Sequence, residues 1–326
     1  PVAGNDLYTT LDVNLQNYVW QACEKVRKEK GAKWVSMIIM NPQNGEIYAM
    51  VNTPEYNLNE PFKLKGKKEN TTGKKRQELL NQMWRNTCIN DTYEPGSVFK
   101  IVTATAGLEL GKVKVTDHFS CPGFRIVEDR KIRCHKTTGH GAETFKEGVM
   151  NSCNPVFMEV GARVGVDGMY TIFRQMGLFE KTGIDIPGEA NSIMHNKKNV
   201  GAVELATMSF GQSFQITPLQ LMRAASAAVN GGTLVTPHFG MKAVDSSGKT
   251  VKTFEFAKKK NVIKKETSET MRELLEAVVS EGSGRNCKIE GYSIGGKTAT
   301  SEKLPRGTGK YISSFLGFSK AEHPTV

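Results

Sequence analysis

Glu94-Pro95-Gly96-Ser97-Val98-Phe99-Lys100 is the stretch on which the reading of this chain turns. Proline and glycine halt any preceding element. Apolar residues at Val98, Ile101, Val102 and Leu108 then recur at helical spacing. The pattern predicts an amphipathic helix over residues 97–110 that opens on a serine. Ser97 and Lys100 lie three apart, so they share a helix face. A serine hydroxyl is a poor nucleophile until a base takes its proton, and a desolvated lysine can be that base. A helix start also offers backbone N–H groups to developing negative charge. The S-x-x-K spacing alone is weak, with about two chance matches expected in a chain of this composition. Ser246-Ser-Gly-Lys249 is such a match, in a turn where no helix aligns the pair.

Working outward, residues 7–13 read as a strand, and Asp12 caps a helix to about Lys30. Residues 34–40 and 46–51 form a hairpin around Asn41-Pro-Gln-Asn-Gly45. Residues 53–76 and 117–141 read as polar loops. Helices are expected from Phe145, from Pro155 to Val164, from an Asp167 N-cap to Met176, and over 218–229 and 266–280. Short strands follow at 251–256, 291–300 and 311–319. Hairpin, helical middle and late strands together predict an α+β fold with an antiparallel sheet from both chain ends and a helical subdomain.

The 326 residues carry 44 Lys+Arg against 33 Asp+Glu, a net charge of +11. Such a balance favours anionic partners. The basic runs, Lys63 to Arg76 and Lys258 to Lys265, interleave no aromatics for base stacking and accompany no nucleic-acid motif, so no nucleic-acid partner is expected. Solvated loops are the plain reading of both runs, with an anionic wall or membrane surface second. No apolar run of 18 residues is present, and no signal peptide opens the chain, so an extracellular protein would have lost its targeting segment.

Two further motifs follow in order. Ser152-Cys153-Asn154 puts a hydroxyl and an amide in a short loop between helices, suited to relaying a proton and holding a substrate amide. Alone, S-x-N is mostly a capping feature. Lys297-Thr298-Ala299-Thr300 sets a cation and two hydroxyls along a strand, whose edge could take an extended peptide. Alone, it reads as a solvated face.

The three elements together resemble the S-x-x-K, S-x-N and K-T-G set of penicillin-binding proteins and serine β-lactamases. Leu7-Tyr-Thr-Thr-Leu-Asp12, Asn41-Pro-Gln-Asn-Gly-Glu-Ile-Tyr-Ala-Met50, Tyr93-Glu-Pro-Gly-Ser97, Gly183-Ile-Asp-Ile-Pro-Gly-Glu189, Ser209-Phe-Gly-Gln212 and Ser313-Ser-Phe-Leu-Gly-Phe318 are similar to class B transpeptidase domains. Ser152-Cys153-Asn154 and the segment from Cys121 to His140 look most like the Gram-positive elongation and sporulation branch. The likeness covers nearly the whole chain, read as one transpeptidase domain over 1–326.

The resemblance implies a β-lactamase/transpeptidase-like fold and a serine D,D-transpeptidase that cross-links peptidoglycan stem peptides and is acylated by β-lactams. It implies Ser97 as nucleophile and Lys100 as its base. Ser152 and Lys297 relay a proton, Asn154 holds the donor amide, and Thr298 and Thr300 bind the terminal carboxylate. No cofactor is expected for the chemistry. It further implies an upstream membrane anchor and pedestal outside these residues, a glycan-polymerase partner, an extracytoplasmic position, and a strand and helix beyond Val326, so the C-terminal end is expected to be truncated. The alternatives are a D,D-carboxypeptidase or β-lactamase, for which no clear deacylating Glu follows Asn154, and a non-catalytic β-lactam sensor or wall-binding module. The chain departs from the family in having Ala299 where Lys-Thr-Gly is usual. Its methyl is expected to crowd the strand edge where a β-lactam lies, unless it packs on the sheet's far face. The literal Lys181-Thr-Gly183 opens a loop and is set aside.

Cys121, Cys134, His140 and Cys153 are spaced by 13, 6 and 13 residues, and four N/S ligands suit a structural Zn²⁺. His135 and Asp117 are the substitutes if one of the four is wrong. The competing readings are a Cys121–Cys134 disulfide and inert buried thiols. Cys23, Cys88 and Cys287 read as core or surface residues.

Overall fold

The computed structural model describes residues 4–64, 66–320 and 323–326. Lys65, within the first basic run, lies outside them, as does the side chain of Lys67. The chain opens with β1 (Asp6–Thr9) and α1 (Val13–Glu29), where the Asp12 carboxylate accepts from the Leu15 N–H. The hairpin of β2 (Val35–Met40) and β3 (Ile47–Thr53) follows. β3 alternates buried and half-buried residues, as a strand with one face on a core must. The expected loop over 53–76 ends in a helix, α2 (Gly73–Met83). It buries only Leu80, so no apolar stripe announced it.

Residues 96–99 make a 3₁₀ turn that runs into α3 (Lys100–Glu109). α3 is not the amphipathic helix the spacing suggested. Every residue from Lys100 to Gly107 is buried, which makes it the central helix of the domain. The expected loop over 117–141 is instead four short strands: β4 (His118–Cys121), β5 (Phe124–Val127), β6 (Arg130–Arg133) and β7 (Gly141–Thr144). β4 pairs with β7, and β5 with β6. Four-residue strands as charged as Arg130-Lys-Ile-Arg133 show no readable alternation.

α4 (Phe145–Met150) carries a Thr144/Glu147 capping box, and α5 (Asn154–Gln175) follows it. The break inside α5 falls at Gly165, at φ +73°, and not at Asp167, which pairs with Lys197. α6 (Ala202–Met208), α7 (Pro218–Val229), β8 (Gly240–Val244), β9 (Thr250–Thr253), α8 (Lys265–Ser280), β10 (Ile294–Glu302) and β11 (Tyr311–Ser319) complete the chain. α6 was not foreseen in the sequence. The main core gathers α3 to α8 around Phe99, whose ring meets Phe173 and Phe214.

The α+β architecture holds, and antiparallel strands come from both ends of the chain. They pair, however, as separate ladders: β1–β8–β9, β2–β3 and β10–β11. Among the described residues no ladder joins the first hairpin to the last. The tail at Pro324 to Val326 reaches both. The Ser319 N–H donates to the Val326 carbonyl at 2.9 Å, and Gln43 Nε2 to the Pro324 carbonyl at 3.0 Å.

Candidate active site

Four of the expected site residues meet where α3, the α4–α5 loop and β10 converge. Lys100 projects from the first turn of α3. Its Nζ donates to the Ser152 carbonyl at 2.7 Å, to Ser152 Oγ at 3.2 Å and to Asn154 Oδ1 at 2.8 Å. Lys297 Nζ donates to the same Ser152 Oγ at 2.9 Å and to the Thr298 carbonyl at 3.1 Å. Ser152 has φ +54°, the left-handed region where non-glycine residues are uncommon. In that conformation its carbonyl and hydroxyl both face Lys100. Strain of this kind persists only where the surroundings fix it.

Both amines are fully buried. Burial pulls the Lys100 ammonium down to about 7, against the pull of nearby Cys134, Cys153 and Glu143. Lys297 is lowered well below its ordinary value by burial and by the charge on Lys100. Two buried ammonium groups on one hydroxyl repel, so the site favours holding fewer protons than it has amines.

Ser97 sits on the 3₁₀ turn, half-buried, and its hydroxyl has no hydrogen-bond partner among the described residues. The turn is packed against backbone. Gly96 has φ +55° and donates its N–H to the Gly211 carbonyl at 2.9 Å. A Cβ on Gly211 would strike the Gly96 carbonyl, and one on Gly96 would strike Ser301 Oγ. Glycine is required at both by close approach as well as by φ.

β10 alternates. Lys297, Ala299 and Ser301 are buried, whereas Thr298 is half-buried and Thr300 exposed on the opposite face. Thr298 and Thr300 therefore share the outward face with Phe315 and Ser313, their partners across the ladder. Ala299 does not line the outer edge, as one reading of it held. Its methyl belongs to the main core and lies under Gly96. Strand periodicity puts it on the Lys297 side.

Asn154 is held at both ends of its amide. Oδ1 accepts from Lys100, and Nδ2 donates to the Arg133 carbonyl at 3.1 Å. Arg133 was not foreseen, because a backbone acceptor leaves no residue-type signal. It immediately precedes Cys134, so the cysteine segment buttresses the site.

Cys121, Cys134, His140 and Cys153 do come together, with one potential ligand atom from each lying within 4.8 Å of the others. All six cysteines are free thiols, so the Cys121–Cys134 disulfide is not formed here. His135 flanks the group, its ring centroid 5.2 Å from that of His140. Asp117 instead pairs with Arg163. Cys153 caps α5 without any side-chain capping bond, a job that Ser, Thr, Asn or Asp would do. Its thiol is pushed up and that of Cys134 down, because the first donates to the second. Glu143, also unforeseen, is buried beside them. Its Oε2 accepts from Asn151, and its Oε1, 4.0 Å from His140 Nδ1, has no hydrogen-bond partner.

The penicillin-binding protein transpeptidase domain model matches residues 35–326. Stage V sporulation protein D of Bacillus subtilis is 39% identical over 100% of this chain and 49% of its own length. Peptidoglycan D,D-transpeptidase MrdA of Acinetobacter baumannii is 30% identical over 100% of this chain and 50% of its own. The chain thus spans about half the length of these curated relatives. Among solved structures, penicillin-binding protein 3 of Mycobacterium tuberculosis superposes with a TM-score of 0.85 at 25% identity, over 99% of this chain and 72% of that one. The D,D-transpeptidase domain from Eggerthella lenta has the same fold, with a TM-score of 0.84 at 23% identity over 99% and 77% of the two chains. A family match across most of the sequence, on a fold shared with solved transpeptidase domains, makes this chain a member of the penicillin-binding protein transpeptidase domain family, in its class B branch.

Proposed function

We propose that this chain is the catalytic domain of a serine D,D-transpeptidase that cross-links peptidoglycan stem peptides. The observation that carries the reading is the Ser152 hydroxyl shared by two buried lysines, one of them three residues beyond Ser97. With its amine near 7, Lys100 is neutral often enough at physiological pH to act as a base. Ser97 Oγ attacks the carbonyl between two D-alanines, and its proton passes to Lys100. The C–N bond breaks, and the departing D-alanine amine takes a proton from Ser152, which Lys297 or Lys100 resupplies. The amine of a neighbouring stem peptide then attacks the Ser97 ester and frees the enzyme. The Ser97 and Thr300 N–H groups stabilise the oxyanion, an effect of about 3–4 kcal/mol for each donor. Asn154 offers its remaining N–H to the donor strand, and the Thr298 and Thr300 hydroxyls take the terminal carboxylate.

β-Lactams acylate the same serine. The domain works on the extracytoplasmic face of a membrane, beside a glycan polymerase that makes the strands it joins. The name of the sporulation relative supports a role in spore-wall synthesis. Intact mass after incubation with a panel of β-lactams tests the reading: one stable adduct on the wild type, none on Ser97→Ala. Rapid loss of the adduct to water would support a β-lactamase instead.

The reading includes a structural Zn²⁺ on Cys121, Cys134, His140 and Cys153. Three thiols and an imidazole are the donor set such sites use. His140 Nδ1, the nitrogen such a site would use, already faces Cys134 Sγ at 3.7 Å. Zinc would hold the Ser152–Asn154 loop and the Arg133 carbonyl in place and takes no part in the acyl transfer.

A further inference from the structure

We infer that Glu94 and Arg306 form a positioning pair, fixing the β10–β11 turn against the turn that carries Ser97 so that the Lys297–Thr300 strand lies in register with the nucleophile. The inference rests on the reading of Ser97 as the nucleophile.

The Glu94 side chain is 5% exposed, and both its oxygens are engaged. Oε1 accepts the Ser213 N–H at 2.7 Å. Oε2 receives Arg306 Nη2 at 2.7 Å. Three segments therefore meet on one carboxylate. The first is the run into Ser97, only three residues away, stiffened by Pro95 and by the close contact of Gly96 with Gly211. The second is the loop through Ser213, tied to that run by the Gly96–Gly211 bond and by a two-way backbone bridge between Tyr93 and Ile216, both bonds 3.1 Å. The third is the turn between β10 and β11, which carries Arg306.

A buried carboxylate without a counter-charge is costly, so the pair has a preferred state: closed. Arg306 is the one cation paired with Glu94 among the described residues. Its side chain is 42% exposed, so the guanidinium is free to leave if the turn swings out. The turn keeps its shape without the pair. The Gly307 N–H donates to Glu302 Oε1 at 2.5 Å, and the Lys303 N–H to the Lys310 carbonyl at 2.8 Å. Lys303 also lies over the Trp34 ring at 4.3 Å. What the pair adds is the placement of a preformed turn. Because β10 is continuous from Lys297 to Glu302, that placement reaches the Thr300 N–H and the Lys297 amine. A small displacement of such groups is enough to slow an acyl transfer strongly.

The test is stopped-flow acylation by a chromogenic cephalosporin, resolving the first-order acylation step from the preceding binding constant. Arg306→Ala and Glu94→Gln should each slow acylation about tenfold while leaving β-lactam binding near wild type. Arg306→Ala, which leaves the Glu94 carboxylate buried without its cation, should lower Tm as well, whereas Glu94→Gln leaves no buried charge and should lower it less. The double variant should be no slower than the slower single, because both remove one interaction. Arg306→Lys should recover most of the rate. Wild-type acylation by Arg306→Ala, or losses that multiply in the double variant, would overturn the pair. Arg306→Ala decides the matter even if Glu94→Gln misfolds, since its side chain is solvent-accessible. Absence of a Ser97 adduct on the wild type would strike the nucleophile assignment instead.

Discussion

Lys100 and Lys297 donate to the same oxygen, Ser152 Oγ, at 3.2 and 2.9 Å. A hydroxyl oxygen has two lone pairs, so Ser152 can accept from both amines and still offer its own proton. In the proposed mechanism, that arrangement would make it the junction between a base at the nucleophile and an acid at the leaving group. It also forces the amines to share protons, because burial penalises each charge and each charge penalises the other.

The pH dependence follows. The Lys100 amine is lowered from 10.5 to about 7 by burial. Below that pH it is an ammonium and cannot take the Ser97 proton. The second-order constant for β-lactam acylation should therefore rise about tenfold per pH unit on the acid side and level off above pH 7. Stability moves in the same direction. Between about 7 and 10.5 the unfolded chain binds a proton on this group that the folded chain does not, so its contribution to stability rises with pH across that window. A pH–rate profile flat from 5.5 to 8.5 would exclude Lys100 as the base.

Ser152→Ala should fold but acylate about 10²–10⁴ times more slowly, the usual worth of a positioned proton donor. Lys297 keeps only the Thr298 carbonyl in that variant, so a stability loss of about 1–3 kcal/mol is expected as well. Denaturant melts beside acylation kinetics separate the two effects. A variant that acylates normally removes Ser152 from the relay.

Gly211→Ala should lose more than about 2 kcal/mol, since the new methyl meets the Gly96 carbonyl and the backbone holds φ +85°. Acylation should fall with it, because the displaced residue is the neighbour of Ser97. Equal melting temperatures for variant and wild type would contradict the close approach.

Ala299→Gly distinguishes a steric filter from a packing residue. Buried in the core beneath Gly96, Ala299 should cost about 1 kcal/mol on truncation. Penicillins and cephalosporins of different bulk should then be affected by one common factor. Rates that change selectively for the bulkiest cephalosporins would restore the filter.

For the zinc site, protein purified without added metal should contain about one equivalent of zinc, lost on Cys134→Ser. A strong chelator should lower Tm and slow acylation together, because Cys153 sits inside the Ser152–Asn154 loop and Cys134 follows Arg133. Metal content near zero, with Tm and acylation unchanged by chelator, would leave the four residues as buried thiols and an imidazole.

Much of this molecule is written in local pattern. The helix after Asp12, the first hairpin, α7, α8 and β11 each follow from residues adjacent in sequence: a capping side chain, a turn, a periodic apolar stripe. So do the three reactive motifs and the set of four N/S donors, because their chemistry depends on residue type. The elements missed are those whose stability is not local. α2 and β6 bury almost nothing of their own, and α3 is buried on every side, polar residues included, because its neighbours, not water, surround it.

Only the folded chain decided which groups meet. Lys100 turned toward Ser152 and Asn154, 52 and 54 residues away, and gave up its ordinary basicity because nothing but protein surrounds it. Ala299 went inward because the pleat of β10 put Lys297 inward first. Glu94 found Arg306 across 212 residues. Residue types and short spacings fix what a segment can do. Burial, and the energy of desolvating a charge, depend on what the rest of the chain brings to the same place, and no local window contains that.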